Sequence, residues 1–104
     1  VIPELGLCEK DYVVPKRRYS GFFQTDLKLL LDELGVDTVI MTGLHAHMCV
    51  RHTSADAYQY GYNVLVAKDA TDSFTEEAYL YGIKYLKETY DAEISDVDSI
   101  LKML

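Results

Sequence analysis

The chain lacks several features that would assign it to particular protein classes. None of its apolar runs approaches the roughly 20 residues of a membrane-spanning helix, and nothing at its start resembles a signal peptide. Only two of its 104 residues are cysteines, Cys8 and Cys49, which is too few for a disulfide framework. We therefore expect a reducing, cytoplasmic location and no membrane partner.

Positive charge is also scarce. The 10 Lys and Arg residues face 17 Asp and Glu residues, for a net charge of −7, and the cluster Lys16-Arg17-Arg18 is too short to form a binding tract. This balance argues against a surface for nucleic acid or anionic lipid. With 49% hydrophobic and 26% charged residues, the composition is that of a globular protein, and 104 residues allow at most one small domain.

Strand-like and helix-like segments alternate along the chain. Four short β-prone runs, bounded by proline, glycine or polar residues, predict strands at 11–14, 36–42, 63–67 and 92–95. The intervening segments predict helices that open at a cap on Thr25, at about Cys49, at a Ser73–Glu76 capping box and after Asp96. The first of these carries leucines at helical spacing and stops at Gly35, and the next two end near Gly61 and Tyr90.

This alternation predicts the fold class. Strands separated by single helices imply right-handed βαβ crossovers and a mostly parallel, doubly wound sheet, covered by helices in a three-layer α-β-α arrangement. Ligands bind at the carboxyl ends of the strands in such sheets. Lys16 and Cys49 each follow a predicted strand, so both are expected at that edge.

The stretch from Met41 to Val50 is a candidate for a reactive cysteine. An apolar strand, a turn at Gly43 and a helix opening on Cys49 place the thiol at a helix N-terminus, where unpaired N–H groups favour the thiolate. A nearby lysine such as Lys16 would favour the thiolate further. A free cysteine is as commonly a small buried hydrophobe, and spacing alone leaves both interpretations open.

Several motifs, in register over nearly the whole chain, resemble the isochorismatase-like cysteine hydrolases. This family includes nicotinamidases, N-carbamoylsarcosine amidases and ureidoacrylate amidases. The matching segments are KRRYSGF at 16–22, TDL at 25–27, LGVDTVIMTG at 34–43, Cys49-Val50 with Thr53, ADA at 55–57, Gly61-Tyr62 and Asp69-Ala70.

The resemblance implies the function and the roles of particular residues. Cys49 matches a nucleophile that attacks a small amide, carbamoyl or ureido carbonyl to form a thioester, and Lys16 matches the catalytic lysine. A cis peptide is implied at Leu44–His45, and the backbone N–H groups of His45 and Cys49 correspond to an oxyanion hole. Tyr19, Phe22 and His47 are candidates for the substrate pocket, and no cofactor is implied.

One element of the family pattern has no match. The family's catalytic aspartate follows its first strand, and this sequence resembles the family only from the third strand onward. We therefore expect residues 1–104 to be the C-terminal portion of one hydrolase domain whose central strands lie elsewhere, and we expect the 104-residue piece alone to be inactive. On this interpretation the missing strands separate 11–14 from 37–42, so that the piece alone does not hold Lys16 against Cys49.

Other interpretations stay open. His45, His47 and His52 invite a metal site, but isolated turn histidines are more often structural or pocket-lining, and no metal is predicted. The same fold also supports vinyl-ether hydrolysis of the isochorismatase type, which does not need the cysteine, and non-catalytic interaction modules. The family commonly forms dimers or tetramers, and the nine tyrosines, mostly on helices, fit a homo-oligomer.

Overall fold

The computed structural model describes residues 2–104. Its strands are β1 (Thr38–Leu44), β2 (Asn63–Asp72) and β3 (Glu93–Ser95), and its α-helices are α1 (Leu27–Leu34), α2 (Cys49–Gln59), α3 (Glu76–Tyr90) and α4 (Val97–Met103). A short 3-10 turn at Pro3–Leu5 precedes them. None of the helices in this part of the chain is long and apolar enough to cross a lipid bilayer.

The three strands form one parallel sheet in the order β1-β2-β3. Alternate residues of β2 point to opposite faces, as the twofold period of a strand requires. Val64 and Val66 pack in the cluster that includes Leu86 of α3. Leu65 packs with Ile100 of α4 on the other face. Helices therefore cover β2 on both faces, and the predicted α/β fold class is confirmed.

The central strand is longer than its apolar run predicts. Pairing with β1 shifts between Met41 and Gly43, whose partners are Val66 and Thr71, so that several residues of β2 bulge out of the ladder. The strand then continues to Asp72, which pairs with Leu44. The extension brings the end of β2 beside the end of β1, at the edge where the candidate site lies.

Strand β1 is covered much less completely than β2. Among residues 2–104 it pairs only with β2, and the side chains of Ile40 and Leu44 are 40% and 59% exposed. One long edge of the sheet and part of an apolar face are thus uncovered in the described part of the chain. That further strands continue the sheet beyond β1 stays a prediction.

The prediction of a strand at residues 11–14 is wrong for this structure. In the described structure the segment joins no sheet, and Tyr12 and Val13 are 64% and 60% exposed. Its β-branched residues favour an extended backbone, but a strand also needs a neighbouring ladder, which residues 2–104 do not supply here. The four-strand alternation predicted from the sequence is therefore a three-strand one.

Two helix caps also differ from the prediction. The Ala78 N–H donates to Thr75 Oγ1 at 3.1 Å, so Thr75, and not Ser73, caps α3. Helix α1 has Asp26 at its N-cap position with no side-chain cap bond, whereas the hydroxyl of the predicted cap, Thr25, accepts the Leu27 N–H at 3.3 Å and donates to the Gly21 carbonyl. The predicted cap at Asp96 is confirmed, since its carboxylate accepts the Ser99 N–H at 2.7 Å.

Candidate active site

The candidate site is built on the turn that joins β1 to α2. The Leu44–His45 peptide is cis, and α2 begins four residues later at Cys49. The His45 carbonyl accepts the N–H groups of Met48 and Val50 at 3.0 and 3.1 Å. The Ala46 N–H donates to the Asp72 carbonyl at 2.8 Å. These bonds hold the turn in one conformation and attach it to the end of β2.

Two backbone N–H groups of this turn have no acceptor in the described part of the chain. Within residues 2–104, neither the His45 N–H nor the Cys49 N–H makes a hydrogen bond. The Cys49 N–H belongs to the first turn of α2, which contains no acidic side chain. A helix N-terminus with unsatisfied donors favours negative charge, either on the cysteine sulfur or on a ligand.

Lys16 lies against Cys49. Its Nζ is 3.5 Å from Cys49 Sγ and also donates to the Arg18 carbonyl at 3.0 Å. The expectation that residues 1–104 alone keep these two side chains apart is therefore wrong for this structure. The segment carrying Lys16 reaches Cys49 by folding onto α2, and it needs no strand of the sheet to do so.

A second group of side chains lies at the same edge of the sheet. His47 Nδ1 is 2.9 Å from Ser73 Oγ, and the ring of Phe74 lies against that of His45, tilted by 36° with 4.0 Å between centroids. Phe74 is 72% exposed, whereas His45 Nδ1 is buried without a hydrogen-bond partner in the described chain. Sequence reasoning missed Ser73 and Phe74, although their place after a buried strand is a signal for site residues.

The three predicted pocket residues have different surroundings. His47 is half-buried beside Ser73. Tyr19 is 50% exposed and its ring lies 5.1 Å from that of His52. Phe22 is only 6% exposed and belongs to the main core cluster, so its ring fills the core instead of lining an open pocket.

Within residues 2–104, the site coincides neither with a metal-binding cluster nor with either of two prominent clefts. Across residues 2–104, no three His, Cys, Asp or Glu side chains converge as a metal ion would require. A cleft of about 590 Å³ lies at the amino ends of the strands, near Asn63 and Glu93. Another of about 640 Å³ lies between α1 and the segment that includes Tyr12 and Arg17. Neither cleft is lined by Cys49.

Comparison with known proteins gives the family. Residues 1–99 match the isochorismatase domain family. The chain belongs to the isochorismatase family. This confirms the resemblance that the motifs around Lys16 and Cys49 carry, and it covers nearly the whole chain.

Individual relatives and solved structures support the isochorismatase assignment. The chain is 38% identical over 108 residues to the ureidoacrylate amidohydrolase RutB of Serratia proteamaculans, spanning 100% of this chain and 42% of that protein. An isochorismatase-like hydrolase structure from Alkaliphilus metalliredigens is 43% identical with a TM-score of 0.93, over 98% of this chain and 55% of that one. For N-carbamoylsarcosine amidase from Thermoplasma acidophilum the values are 38% and 0.85, over 92% and 54%.

The match covers most of this chain but only about half of each relative. The chain spans about half the length of the isochorismatase-family proteins it resembles, for example 45% of YwoC from Bacillus subtilis, to which it is 34% identical. The described fold is thus a partial isochorismatase fold with three parallel strands and flanking helices.

Proposed function

We propose that this chain carries the nucleophile of a cysteine-dependent hydrolase that cleaves a C–N bond in a small amide, carbamoyl or ureido compound. The observation that carries the proposal is the 3.5 Å contact between Lys16 Nζ and Cys49 Sγ at the start of α2. A cation and a helix N-terminus both favour the thiolate, which is the nucleophilic form of cysteine. The substrate class is supported by relatives named as a ureidoacrylate amidohydrolase and an N-carbamoylsarcosine amidase.

The proposed reaction has two steps. The Cys49 thiolate attacks the carbonyl carbon, a C–S bond forms, the C–N bond breaks, and the departing nitrogen takes a proton. Water then attacks the thioester, releasing the acid and restoring the thiol. The unpartnered N–H groups of His45 and Cys49 are the proposed donors to the oxyanion of each tetrahedral intermediate.

Each proposed residue has a distinct role. Lys16 stabilises the thiolate and is proposed to donate the proton that the departing nitrogen takes, recovering it from the water that attacks the thioester. His47, held through Nδ1 by Ser73, presents its other ring nitrogen as a polar wall of the pocket. Tyr19 is proposed to line the same opening from the Lys16 side.

The general base of this scheme is proposed to lie in a part of the domain that residues 1–104 do not include. Lys16 is the hydrogen-bond partner of Cys49 Sγ within the described chain, and the Asp56 carboxylate is engaged by Ser20. The uncovered edge of β1 and the 42–55% coverage of relatives support further strands there. The intact mass of the natural polypeptide tests this directly, and a mass equal to that of the 104 residues would refute it.

A panel of small amides tests the catalytic proposal. The natural polypeptide carrying residues 1–104 is incubated with ureidoacrylate, N-carbamoylsarcosine and nicotinamide, and ammonia release is measured. We expect release from at least one ureido or carbamoyl compound, its loss in Cys49→Ala and its retention in Cys8→Ala. Equal release by the wild type and Cys49→Ala would overturn the proposal.

We also propose that the protein is a homo-oligomer. Exposed aromatic side chains on and near the helices support it, since Tyr58, Tyr60 and Tyr81 are each about half exposed, at 48%, 53% and 53%. Light scattering on the natural polypeptide should give a mass of two or four chains, and a monomer mass would refute this proposal.

A further inference from the structure

One face of α2 carries more than the nucleophile. Cys49, Thr53 and Asp56 lie at positions i, i+4 and i+7 of the helix, which places them on the same side. Thr53 and Asp56 both bond to the loop at residues 16–25, the loop that carries Lys16. The helix that presents the thiol therefore also holds the backbone from which the lysine extends.

The first attachment is a bond between Gly21 and Thr53. The Gly21 N–H donates to Thr53 Oγ1 at 2.9 Å, across 32 residues of sequence. A Cβ placed on Gly21 would meet a Leu27 methyl at 3.5 Å and the Thr53 methyl at 3.6 Å, so the loop backbone packs directly on the helix here. This contact sits one helical turn beyond Cys49.

The second attachment is a bond between Ser20 and Asp56. The Ser20 hydroxyl donates to Asp56 Oδ2 and accepts the Phe22 N–H at 3.1 Å. Ser20 is 8% exposed and Phe22 is 6% exposed. A hydrogen bond to a carboxylate in partly buried surroundings is stronger than one between neutral groups. The loop is thus attached to α2 at two consecutive residues, Ser20 and Gly21. Ser20 also links this attachment to the core through Phe22.

Lys16 depends on such an anchor because little else holds it. Its side chain is exposed, and among residues 2–104 its hydrogen bonds run only to Cys49 Sγ and the Arg18 carbonyl. A lysine is a point charge on a flexible four-carbon stem, so its time near a partner depends on where its backbone is fixed. Arg18 lies two residues before Ser20, so the same attachments also fix that carbonyl.

We propose that Thr53 and Asp56, through Gly21 and Ser20, are positioning residues that hold Lys16 against the Cys49 sulfur. We call these four residues the loop anchor. The inference deepens the proposed function and rests on the Lys16–Cys49 pair being its reactive centre. Asp56 acts on the thiol only through the loop, since it lies two helical turns from Cys49 and its carboxylate accepts the Ser20 hydroxyl.

The test compares the two cysteines of one molecule. The natural polypeptide is treated with iodoacetamide at neutral pH, and the alkylation rates of Cys49 and of the exposed Cys8 are followed on their separate peptides. The Cys49:Cys8 rate ratio reports the thiolate at the site, with Cys8 as an internal reference. Lys16→Ala should lower the ratio roughly sevenfold, the Coulomb effect of one charge 3.5 Å away in a water-exposed site.

Thr53→Val breaks the anchor and Thr53→Ser keeps it. Valine removes the hydroxyl that accepts the Gly21 N–H, so the ratio should fall most of the way to the Lys16→Ala value, while serine should restore it. In a Lys16→Ala background, Thr53→Val should cause no further fall, because the anchor acts through the lysine. Thr89→Val, at an exposed threonine of α3, is the matched control and should leave the ratio unchanged.

The outcomes separate the two claims. If Lys16→Ala leaves the ratio unchanged, the Lys16–Cys49 pairing of the proposed function is refuted. If Lys16→Ala lowers the ratio but Thr53→Val does not, the pairing stands and the loop anchor is refuted. A fall of equal size for Thr53→Val with and without Lys16 indicates a merely structural role and also overturns the inference. If Thr53→Val does not fold, Ser20→Ala breaks the other attachment and is scored in the same way.

Discussion

Replacing Gly82 by alanine tests how the turn of the candidate site is held in place. Gly82 lies inside α3 and is buried against the turn that joins β1 to α2. A Cβ at this position would lie 2.8 Å from the His47 nitrogen, 2.9 Å from the Ala46 carbonyl carbon and 3.0 Å from its oxygen. All three are backbone atoms, so the clash cannot be relieved by rotating a side chain.

Two effects of Gly82→Ala oppose each other. In a solvent-exposed helix, glycine to alanine gains up to about 1 kcal/mol of stability from helix propensity. Here the turn would have to retreat by about 0.6 Å, from 2.8 Å to the 3.4 Å of an ordinary contact. Overpacking of this kind typically costs about 1–3 kcal/mol. We therefore expect the overpacking to dominate, with a net loss of about 1 kcal/mol.

The same displacement acts on the proposed chemistry. The turn carries the N–H groups of His45 and Cys49, which are the proposed oxyanion donors. A misplacement of about 1 Å in a catalytic group can cost roughly a hundredfold in rate, so a shift of about half that size should lower kcat/KM by roughly tenfold. The Cys49:Cys8 alkylation ratio should change much less, because Lys16 approaches from a different element.

The assay combines urea unfolding with ammonia release by the natural polypeptide. Lys84→Ala, two residues along α3 at an exposed position, is the matched control and should leave both measurements nearly unchanged. A Gly82→Ala variant that is about 1 kcal/mol more stable and fully active would refute the argument. That result would mean the turn moves freely away from α3.

Three further predictions concern stability, measured as the free energy of unfolding of the natural polypeptide. Leu86→Ala should cost about 2–5 kcal/mol because Leu86 is fully buried, whereas Leu80→Ala, at a site 56% exposed, should change it by less than about 0.5 kcal/mol. Thr75→Ala should cost about 1 kcal/mol through loss of the α3 cap, and Ser73→Ala should cost clearly less; equal losses would contradict the assigned cap. The Ser99 N–H lowers the pKa of Asp96 below its ordinary value of 3.8, so the carboxylate stabilises the fold above that pH, and this contribution is lost as the pH falls through the lower folded pKa. Asp96→Asn should remove that part of the acid dependence while retaining a cap, and an unchanged acid profile would count against it.

Local patterns predict much of the fold. The leucine stripe predicts α1, the apolar run from Asn63 predicts the buried part of β2, and Asp96 predicts the start of α4. The position of Cys49 at the start of α2 also follows from the sequence. In each case the signal lies within one element, where periodicity and capping chemistry act over a few residues.

The parts of the fold that local patterns do not predict depend on contacts between residues far apart in the sequence. Lys68 and Asp69 look like the end of a strand, yet β2 continues because the end of β1 supplies a ladder partner for Asp72. Ser73 does not cap α3, because its hydroxyl is engaged by His47, 26 residues away. No local pattern reveals these pairings.

The position of the loop that carries Lys16 is likewise not predicted by local patterns. It reaches Cys49 through the Ser20–Asp56 bond, which spans 36 residues. The expected separation of Lys16 from Cys49 follows from the order of the strands alone. In the structure, hydrogen bonds from this loop to α2 bring Lys16 close to Cys49 instead.

The most direct test of the central claim is to trap the covalent intermediate. The natural polypeptide is mixed with an amide that it hydrolyses, quenched in acid within the first turnovers, and digested for peptide mass spectrometry. We predict an acyl adduct on the peptide that contains Cys49, no adduct on the Cys8 peptide, and none in Cys49→Ala. Turnover of the amide with an unmodified Cys49 peptide at every quench time, and undiminished turnover in Cys49→Ala, would contradict the assignment of Cys49 as the nucleophile.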